Sequence, residues 1–444
     1  MRSQYPVRPI VTARLPFHRH LGSGHDTEGA NVTDQPDVAN GKDPVARPAI
    51  DAASLLSDGR DILADVVALR RKIHAEPELG LELPQTQAHI LDTLADLDLD
   101  ITTGTSLSSV VATMTGDADG PTLLLRADMD ALPMSEDTGL DFASTDPGAM
   151  HACGHDAHVA MLYGAVRLLH QRRSDLRGTV KFLFQPGEEG FHGAEHCIEE
   201  GVLTGPVVDT AFALHISPNI PSGSFATRPG PFMASADEFT MTITGKGGHA
   251  SSPHMAVDPI PVAAELVLAL QAMITRSIDA FNPAVLTVAQ IVAGTTSNVI
   301  PETAMLKATL RTVSEGTRSQ VHDSLHRVAH HVAAAHGCEA DVDIRIGYPV
   351  TVNDPGVVDL ARDVLIDLVG DDQVIDMPAP IMGAEDWSYV LQEVPGCLVF
   401  LGVCPPAVAP ANAAACHSNR MIIDEDAMAI GAAAHAAMAL SYLS

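Results

Sequence analysis

The stretch Met150–His158 is the feature that most constrains what this chain can fold into and do. It contains three histidines, one cysteine and one aspartate next to Gly154. A thiolate and an imidazole two positions apart can reach one centre when the residue between them is small, as Gly154 is between Cys153 and His155. Sulfur with imidazole nitrogen is the ligand chemistry of zinc and its first-row neighbours. A buried cysteine beside a helix-capping His-Asp pair would have the same sequence, so this stretch alone leaves both interpretations open.

A second cluster of reactive groups follows at Glu188 and Glu189, which lie between two glycines. Adjacent carboxylates in such a turn rarely serve packing, so they favour chemistry at both clusters. By residue type the metal-ligand candidates are Cys153, His155, Glu189, His215 and His417. Five ligands exceed the three or four that one hydrolytic zinc requires, so two metal ions roughly 3.5–4 Å apart become plausible. Spacing does not say which glutamate binds metal, nor whether Cys416 replaces its neighbour His417.

Three continuous apolar runs predict strands that are buried on both faces. They are Thr122–Arg126, Thr179–Phe184 and Thr210–Leu214. The polar residues at or just after the ends of these runs include Asp128, Asp130, Glu188, Glu189 and His215. Functional groups of open α/β sheets lie beyond the carboxyl ends of the strands, so we expect these side chains to meet at one edge. The sequence therefore predicts an α/β catalytic domain with a mostly parallel central sheet flanked by helices.

Residues 231–346 have a different pattern, in which strand, helix and strand occur twice in succession. That order predicts an α+β ferredoxin-like module. We therefore expect a discontinuous metal-binding catalytic domain over residues 51–230 and 347–444, with an inserted lid and dimerisation domain over 231–346. Residues 1–50 lack a periodic apolar pattern, and we expect a mobile N-terminal extension there. The alanine-rich tract Ala427–Leu443 is interrupted by glycine and histidine, which favours a buried terminal helix over a membrane span.

Composition narrows the choice of partners and compartment. The formal net charge of −30 argues against nucleic acid and anionic membrane surfaces as partners. Six cysteines are too few for a disulfide framework in a chain of 444 residues. No apolar leader precedes the predicted domains, so we expect a cytoplasmic protein.

Three histidines recur at helical spacing: His322, His326 and His330. We interpret them as a solvated helix face rather than as part of the site.

Six motifs along the chain jointly resemble the amidohydrolase branch of the M20 metallopeptidases. These motifs are Arg126–Pro133, Met150–His158, Phe184–Glu189, Gly245–Pro253, Ser297–Pro301 and Gly383–Trp387. That branch includes hippurate hydrolases, aminoacylases and hydrolases of auxin–amino-acid conjugates. The resemblance runs from about Leu69 to the C-terminus. It departs from the family at Gly187, where alanine is common, and at Trp387, where phenylalanine is common.

The resemblance implies a role for each candidate residue. It makes Cys153, His155, Glu189, His215 and His417 the ligands of two divalent metal ions, which could be Zn, Mn, Co or Ni. Glu188 becomes the general base, and Asp128, Asp130 and Asp156 are expected beside the ligands, with Asp130 orienting a ligand histidine. His249 would meet the substrate from the partner subunit of a homodimer that pairs through the lid. Asn298 and Arg311 match positions near the carboxylate or oxyanion of the substrate.

The implied activity is hydrolysis of an N-acyl-L-amino acid, a small-molecule substrate, to a carboxylic acid and a free amino acid. One alternative is deacylation of a peptide or of a diaminopimelate-type intermediate within the same superfamily. Another is a non-catalytic relative that binds a metal or a ligand. Glu188 discriminates between enzyme and binder, because a binder has no need for a free carboxylate beside the ligand Glu189.

Overall fold

The computed structural model describes residues 51–444, so the expectation for residues 1–50 lies outside the described part of the chain. The helices are α1 (Ala52–Asp61), α2 (Leu63–Ala75), α3 (Pro84–Leu94), α4 (His155–His170), α5 (Gly193–Glu199), α6 (Pro259–Ser277), α7 (Glu315–Ala335), α8 (Pro355–Val369), α9 (Trp387–Glu393) and α10 (Ala427–Tyr442). The strands are β1 (Asp100–Thr103), β2 (Val110–Thr115), β3 (Ala118–Asp128), β4 (Arg177–Gln185), β5 (Thr210–Ser217), β6 (Phe225–Thr227), β7 (Gly230–Met233), β8 (Asp237–Thr244), β9 (Gly248–His249), β10 (Ala284–Ala293), β11 (Val299–Ile300), β12 (Thr303–Thr312), β13 (Glu339–Arg345), β14 (Thr351–Asn353), β15 (Val374–Asp376) and β16 (Gly396–Gly402).

The larger sheet has eight strands in the order β1-β2-β4-β3-β5-β16-β6-β15. Its centre is parallel, because β4, β3, β5 and β16 pair in the same direction. Helices cover both faces of the sheet, and the apolar run of β3 shows why. Leu123 and Leu125 point into a core shared with α2, α4 and α10, while Leu124 points into the opposite core with α5 and α9. The predicted parallel sheet flanked by helices is confirmed.

The smaller sheet has four strands in the order β10-β12-β8-β13, all of them antiparallel. In the chain these strands follow the order β8-α6-β10-β12-α7-β13, which is the ferredoxin-like arrangement that the sequence predicted. Helices α6 and α7 pack on one face of this sheet around a separate apolar core that includes Phe239, Leu266 and Leu325. The division of the chain at residues 230 and 346, and the movement of this unit as a lid, stay predictions.

Helix boundaries follow from local chemistry. Asp258, Ser314 and Asp354 precede α6, α7 and α8, and each side chain accepts a hydrogen bond from a backbone N–H of the first turn. Among the described helices, α6 alone has the length and apolar composition of a membrane span. One face of α6 nevertheless packs on the four-stranded sheet.

The tract predicted as a buried terminal helix forms α10, and most of its residues are buried.

A buried arginine, Arg126, connects strands β3 and β4 with the segment before α9. The Arg126 guanidinium on β3 donates to Asp128 at 2.6 Å and to Gln185 on β4 at 3.0 Å. It also donates to Glu385 and Asp386, both at 2.9 Å, in the segment that leads into α9. Arg126 and its carboxylate partners are almost completely inaccessible to solvent. Removing the guanidinium would therefore leave several negative charges buried without compensation.

We expect Arg126→Met to lower the free energy of unfolding by about 3–5 kcal/mol, the usual cost of breaking a buried ion pair from one side. Urea unfolding followed by far-UV circular dichroism measures this change. The matched control is Arg420→Met, because Arg420 pairs with Asp137 at 2.7 Å on the surface. That substitution should cost less than about 1 kcal/mol. Equal losses in the two variants would show that the buried network does not stabilise the fold.

Candidate metal centre

The donor side chains converge because the parallel strands end at one edge of the sheet. Asp128 ends β3, Glu188 and Glu189 follow β4, and His215 lies near the end of β5. Gly154 has φ of 91° and caps α4, so Cys153 and His155 lie on either side of a left-handed residue. A Cβ at position 154 would come within 2.5 Å of the Ile216 side chain, so this turn requires glycine.

Two groups of ligand atoms meet at this edge and share Cys153. In the first group the ligand atoms of Cys153, His155 and His215 all lie within 4.8 Å of one another. In the second group the ligand atoms of Cys153, Glu189 and His417 satisfy the same limit. Cys153 Sγ lies 3.4 Å from His215 Nε2, and His417 Nε2 lies 3.3 Å from Glu189 Oε1. The arrangement provides two adjacent positions for a cation.

Hydrogen bonds fix both buried histidines in the tautomer that binds metal. Nδ1 of His155 lies 2.8 Å from the carbonyl oxygen of Asp130, and Nδ1 of His215 lies 2.7 Å from that of Ile216. A carbonyl oxygen only accepts, so Nδ1 donates the hydrogen bond and Nε2 is the nitrogen that faces the cluster, where a cation can take the place of a proton. His155 Nε2 is buried without a hydrogen-bond partner. Thiolate, imidazole and carboxylate donors in this state fit zinc and its first-row neighbours.

The cluster carries a surplus of negative charge. Burial opposes a positive charge on His155, but Asp128 and Asp130 outweigh that effect and raise the pKa of His155 to about 10. The hydrogen bond with Cys416, burial and the charges of Glu189 and Glu188 raise the pKa of the Cys153 thiol. A cation at these positions would offset this charge and favour the thiolate. Cys416 itself lines the adjoining cavity, but it belongs to neither of the two ligand groups.

The two adjacent glutamates occupy different environments. The Asp130 carboxylate accepts hydrogen bonds from the backbone N–H groups of Glu188 at 2.9 Å and Glu189 at 3.0 Å, which holds the turn. Burial, then the charges of Glu385 and Glu189, raises the pKa of Glu188 well above its ordinary value. Burial opposes ionisation of Glu189, but the hydrogen bond with His417 and the charge of His155 outweigh it and lower its pKa. Glu188 is thus suited to accept a proton and Glu189 to remain an anionic ligand.

The carboxylates expected beside the ligands have different contacts. Asp128 accepts from His158 Nδ1 at 2.5 Å and lies 3.5 Å from His155 Nε2. His158 Nε2 accepts the backbone N–H of Ile216 at 2.8 Å, so both of its ring nitrogens are occupied. The group that orients His155 is the main-chain carbonyl of Asp130, since the Asp130 carboxylate lies 3.5 Å from the same nitrogen.

Asp156 points away from the donors. Its carboxylate accepts from Arg70 Nε at 2.9 Å and lies 2.8 Å from His74 Nδ1, and neither partner is a ligand candidate. The placement of Asp156 beside the ligands, which the resemblance implied, therefore needs correction. The reason is its position on α4: Asp156 follows His155 directly, and consecutive residues of a helix face different directions.

The structure brings one of the three predicted residues of the smaller sheet region to the site. Arg311 lines a cavity of about 680 Å³ that also contains Cys153, Glu188, Glu189, His215 and His417. His249 is exposed in the short β9–β11 ribbon, and the backbone N–H of Ala250 donates to the Asn298 carbonyl at 3.1 Å beside it. Neither His249 nor Asn298 lines this cavity within its own chain.

Some groups at the site carry no sequence signal that assigns them a role. Arg126 and Glu385 lie within motifs that resemble the family, but their contact joins residues far apart in the chain. Tyr348 also lines the cavity, and it lies outside every motif that carried the resemblance. An aromatic residue near a predicted strand is normally assigned to the core, so spacing alone could not identify it.

Comparison with known proteins shows the same relationship over most of the chain. Residues 124–441 match the profile of Peptidase family M20/M25/M40. Thermostable carboxypeptidase 1 of Saccharolobus solfataricus is 38% identical over 87% of this chain and 98% of its own length. IAA-amino acid hydrolase ILR1-like 2 of Arabidopsis thaliana is 39% identical, with 85% of each chain covered. N-acetyl-L-cysteine deacetylase of Bacillus subtilis is 40% identical over 76% of this chain and 80% of its own.

A solved structure extends the relationship to the fold. The Bacillus subtilis YXEP protein, described as a dinuclear metal binding peptidase from the M20 family, superposes with a TM-score of 0.75. Its sequence is 33% identical to this chain, and the match covers 86% of this chain and 99% of that protein.

We expect Glu188→Gln and Glu189→Gln to separate by assay although they are neighbours. Glu188→Gln removes a basic oxygen but no ligand atom, so bound metal should remain while kcat falls by about 10²–10⁴-fold. Glu189→Gln should lower metal affinity, because an amide is a weaker ligand than a carboxylate. Elemental analysis of dialysed protein, together with steady-state kinetics, measures both effects. Near-native kcat in Glu188→Gln would place the general base elsewhere.

Proposed function

The chain belongs to peptidase family M20/M25/M40, and from this premise we propose that it hydrolyses the amide bond of N-acyl-L-amino acids with the help of divalent metal ions. The observation that carries the proposal is the adjacent pair of the buried Glu188 and the half-buried Glu189. Both line the cavity, and Glu189 also lies 3.3 Å from the ligand candidate His417. A protein that only bound metal would have no need of the second carboxylate.

Two divalent cations would be held by the two ligand groups, one by Cys153, His155 and His215 and the other by Cys153, Glu189 and His417. The dinuclear description of the related Bacillus subtilis protein supports this number. Zn, Mn, Co and Ni all suit the donor set. When bound, such cations polarise the amide carbonyl and favour ionisation of water.

Residues of the chain then transfer the proton and bind the substrate. The Glu188 carboxylate, 3.9 Å from His155 Nε2 at its Oε2 atom, takes the proton from the attacking water and returns it to the leaving amine. Arg311 makes no ion pair with a described residue and lines the same cavity, so it can bind the substrate carboxylate. Asn298 would contribute from a neighbouring subunit, since it is exposed and lies outside the cavity of its own chain.

We also propose a homodimer that pairs through the four-stranded sheet. Strand β10 lies at the edge of that sheet and exposes Ile291 and Val292, with 52% and 48% of their surface accessible. Leu268 of α6 is also exposed, at 73%. An apolar edge strand with unpaired backbone groups favours pairing with a second copy. In that dimer His249 of one protomer would complete the site of its partner. A cytoplasmic location fits the thiols at the metal centre, which a reducing compartment preserves.

The three relatives named above favour two different activities within this family. The carboxypeptidase from Saccharolobus solfataricus keeps the alternative of peptide cleavage open as a second candidate, and the two amidohydrolase relatives favour small acylated amino acids. A diaminopimelate-type deacylase would require a site for a second amino-acid group at the far end of the substrate, and the cavity wall beyond the metal centre is largely apolar.

The proposed activity is tested by a hydrolysis screen. Metal-depleted enzyme is reloaded separately with Zn, Mn, Co or Ni, and release of free amino acid is followed for N-acetyl, N-benzoyl and long-chain acyl amino acids and for dipeptides with free amino termini. We expect hydrolysis of acyl amino acids with kcat/KM at least about tenfold above that for the dipeptides, and loss of activity in Glu188→Gln. Faster cleavage of the dipeptides would favour the peptidase alternative.

The dimer proposal is tested by mixing inactive subunits. Equal amounts of Glu188→Gln and His249→Ala protein should regain about one quarter of wild-type activity after exchange, because half the dimers are then mixed and each has one intact site. The matched control mixes Glu188→Gln with Glu189→Gln. Each chain then carries a substitution in its own cavity, so no site is intact and the mixture should stay inactive. If labelled subunits exchange and no activity returns, His249 does not act across the interface.

A further inference from the structure

The cavity beside the metal centre has one largely apolar wall. Its volume is about 680 Å³, and cavities of about 300–1,000 Å³ can enclose ligands of drug size. The apolar wall is lined by Ile220, Met233, Met377, Ile381, Met382 and Phe400. It begins next to the metal ligands, because the ring centroids of Phe400 and His215 are 5.7 Å apart. An acetyl group would leave most of this wall in contact with water.

A second part of the cavity lining is polar and cationic. Arg311, Tyr348 and Gly190 lie together there, because all three also line a smaller adjoining cavity of about 160 Å³. An N-acyl amino acid has the same asymmetry, since its carboxylate lies on the nitrogen side of the amide and its acyl chain on the carbonyl side. With the carboxylate on Arg311, the acyl chain would extend along the apolar wall.

We propose that this apolar wall is the acyl subsite and that it takes a medium-chain or aromatic acyl group in preference to acetyl. The inference rests on the proposed hydrolysis of N-acyl amino acids and adds the class of acyl group. Three of the six lining residues are methionines, whose flexible thioethers adapt to chains of different shape. Ile381 and Met382 stand at the rim with 36% and 37% of their surface exposed, so a bound chain would cover apolar surface that is otherwise in contact with water.

The test compares N-acetyl, N-hexanoyl and N-decanoyl derivatives of one amino acid. Each methylene moved from water to an apolar wall favours binding by about fourfold, so kcat/KM should rise by at least about 100-fold from acetyl to decanoyl. Met382→Asn should reduce this ratio by about tenfold, because it replaces part of the wall with a polar amide. Met255→Asn is the matched control, since Met255 is 67% exposed and lies outside the cavity. It should leave the ratio unchanged.

The outcomes separate the subsite from the activity itself. Hydrolysis of all three compounds with acetyl preferred, or an equal effect of Met382→Asn on all three, would overturn the acyl subsite and leave the amidohydrolase in place. Failure to hydrolyse any of them under every metal would contradict the proposed function. A second series keeps the acyl group and varies the amino acid. If apolarity of the amino acid instead governs kcat/KM, the wall holds the amino-acid side chain and the acyl assignment is wrong.

A different observation concerns Tyr348, whose hydroxyl holds the turn that carries Glu188. The hydroxyl donates to the Glu188 carbonyl oxygen at 2.5 Å and accepts the backbone N–H of Gly190 at 2.7 Å. Tyr348 is buried, with 8% of its surface exposed. The main chain of the turn is therefore fixed from one side by Tyr348 and from the other by Asp130, which binds the N–H groups of Glu188 and Glu189.

Tyr348 also stands where the chain leaves the four-stranded sheet. It comes directly after Gly347, and its own carbonyl accepts the N–H of Ala236, the residue before β8. Asp237 binds the N–H of Gly347 at 3.0 Å and the Arg318 guanidinium at 2.5 and 2.8 Å. His322 of the predicted solvated stripe adds a contact of 2.8 Å to the same carboxylate. Hydrogen bonds therefore fix both segments that connect the two sheets, the one before β8 and the one after β13, beside the Glu188 turn.

We infer that Tyr348 is a positioning residue that couples the orientation of the four-stranded sheet region to the position of Glu188. Tyr348→Phe keeps the ring and removes the hydroxyl, so kcat should fall by about 10- to 100-fold, as a small displacement of a catalytic group would cause. KM and bound metal should change less than twofold. Tyr163→Phe is the matched control, because the Tyr163 hydroxyl contacts only Arg167, at 3.5 Å, among the described hydrogen bonds.

A double variant distinguishes positioning from general support of the fold. If Tyr348 acts through Glu188, its loss should have little further effect once the base is removed, so Tyr348→Phe in Glu188→Gln should lower kcat less than twofold. Independent losses that multiply in the double variant would overturn the inference. So would wild-type kcat in Tyr348→Phe, or loss of metal and activity together in that variant.

Discussion

The crowding of buried carboxylates at the carboxyl edge of the parallel strands is the constraint on which the rest of this structure depends. Asp128, Asp130, Glu188, Glu385 and Asp386 are all almost inaccessible to solvent. Buried like charges are tolerated only when cations or hydrogen bonds compensate them. Arg126 compensates Asp128, Glu385 and Asp386, and the backbone N–H groups of the Glu188 turn compensate Asp130. Among the described residues Glu188 contacts no guanidinium, and its ion pair with His155 Nε2 is long, at 3.9 Å, so its pKa stays raised and its carboxylate can accept a proton.

The same constraint explains the order of the parts. Arg126 has to reach both β4 and the segment before α9, which requires the late segment Gly383–Trp387 to return to the first strands of the sheet. That return also places the apolar residues Ile381 and Met382 at the cavity next to the donors. The chain then leaves the four-stranded sheet and reaches Tyr348, beside the turn that Asp130 holds. Charge compensation, the shape of the cavity and the position of the base are therefore properties of one connected region.

The strands and donors of this site could be predicted from the sequence because they are local features. A continuous apolar run such as Thr122–Arg126 indicates a buried strand, and the rule that parallel strands end at one edge brings Asp128, Glu188 and His215 together. What the sequence could not supply depends on contacts between distant residues. Both ring nitrogens of His158 are occupied, Asp156 faces Arg70 and His74, and Tyr348 reaches the Glu188 carbonyl. His249 is likewise outside the cavity of its own chain.

We propose that this edge of the sheet binds two divalent cations and that hydrolysis depends on them. The most direct measurement is a titration of the chelated, metal-free chain with a single metal, in which bound metal and hydrolysis of an N-acyl amino acid are followed in the same samples. We expect no turnover without metal and full activity as the bound amount approaches about two ions per chain. Full activity in the metal-free chain, or saturation of activity with no metal bound, would contradict it.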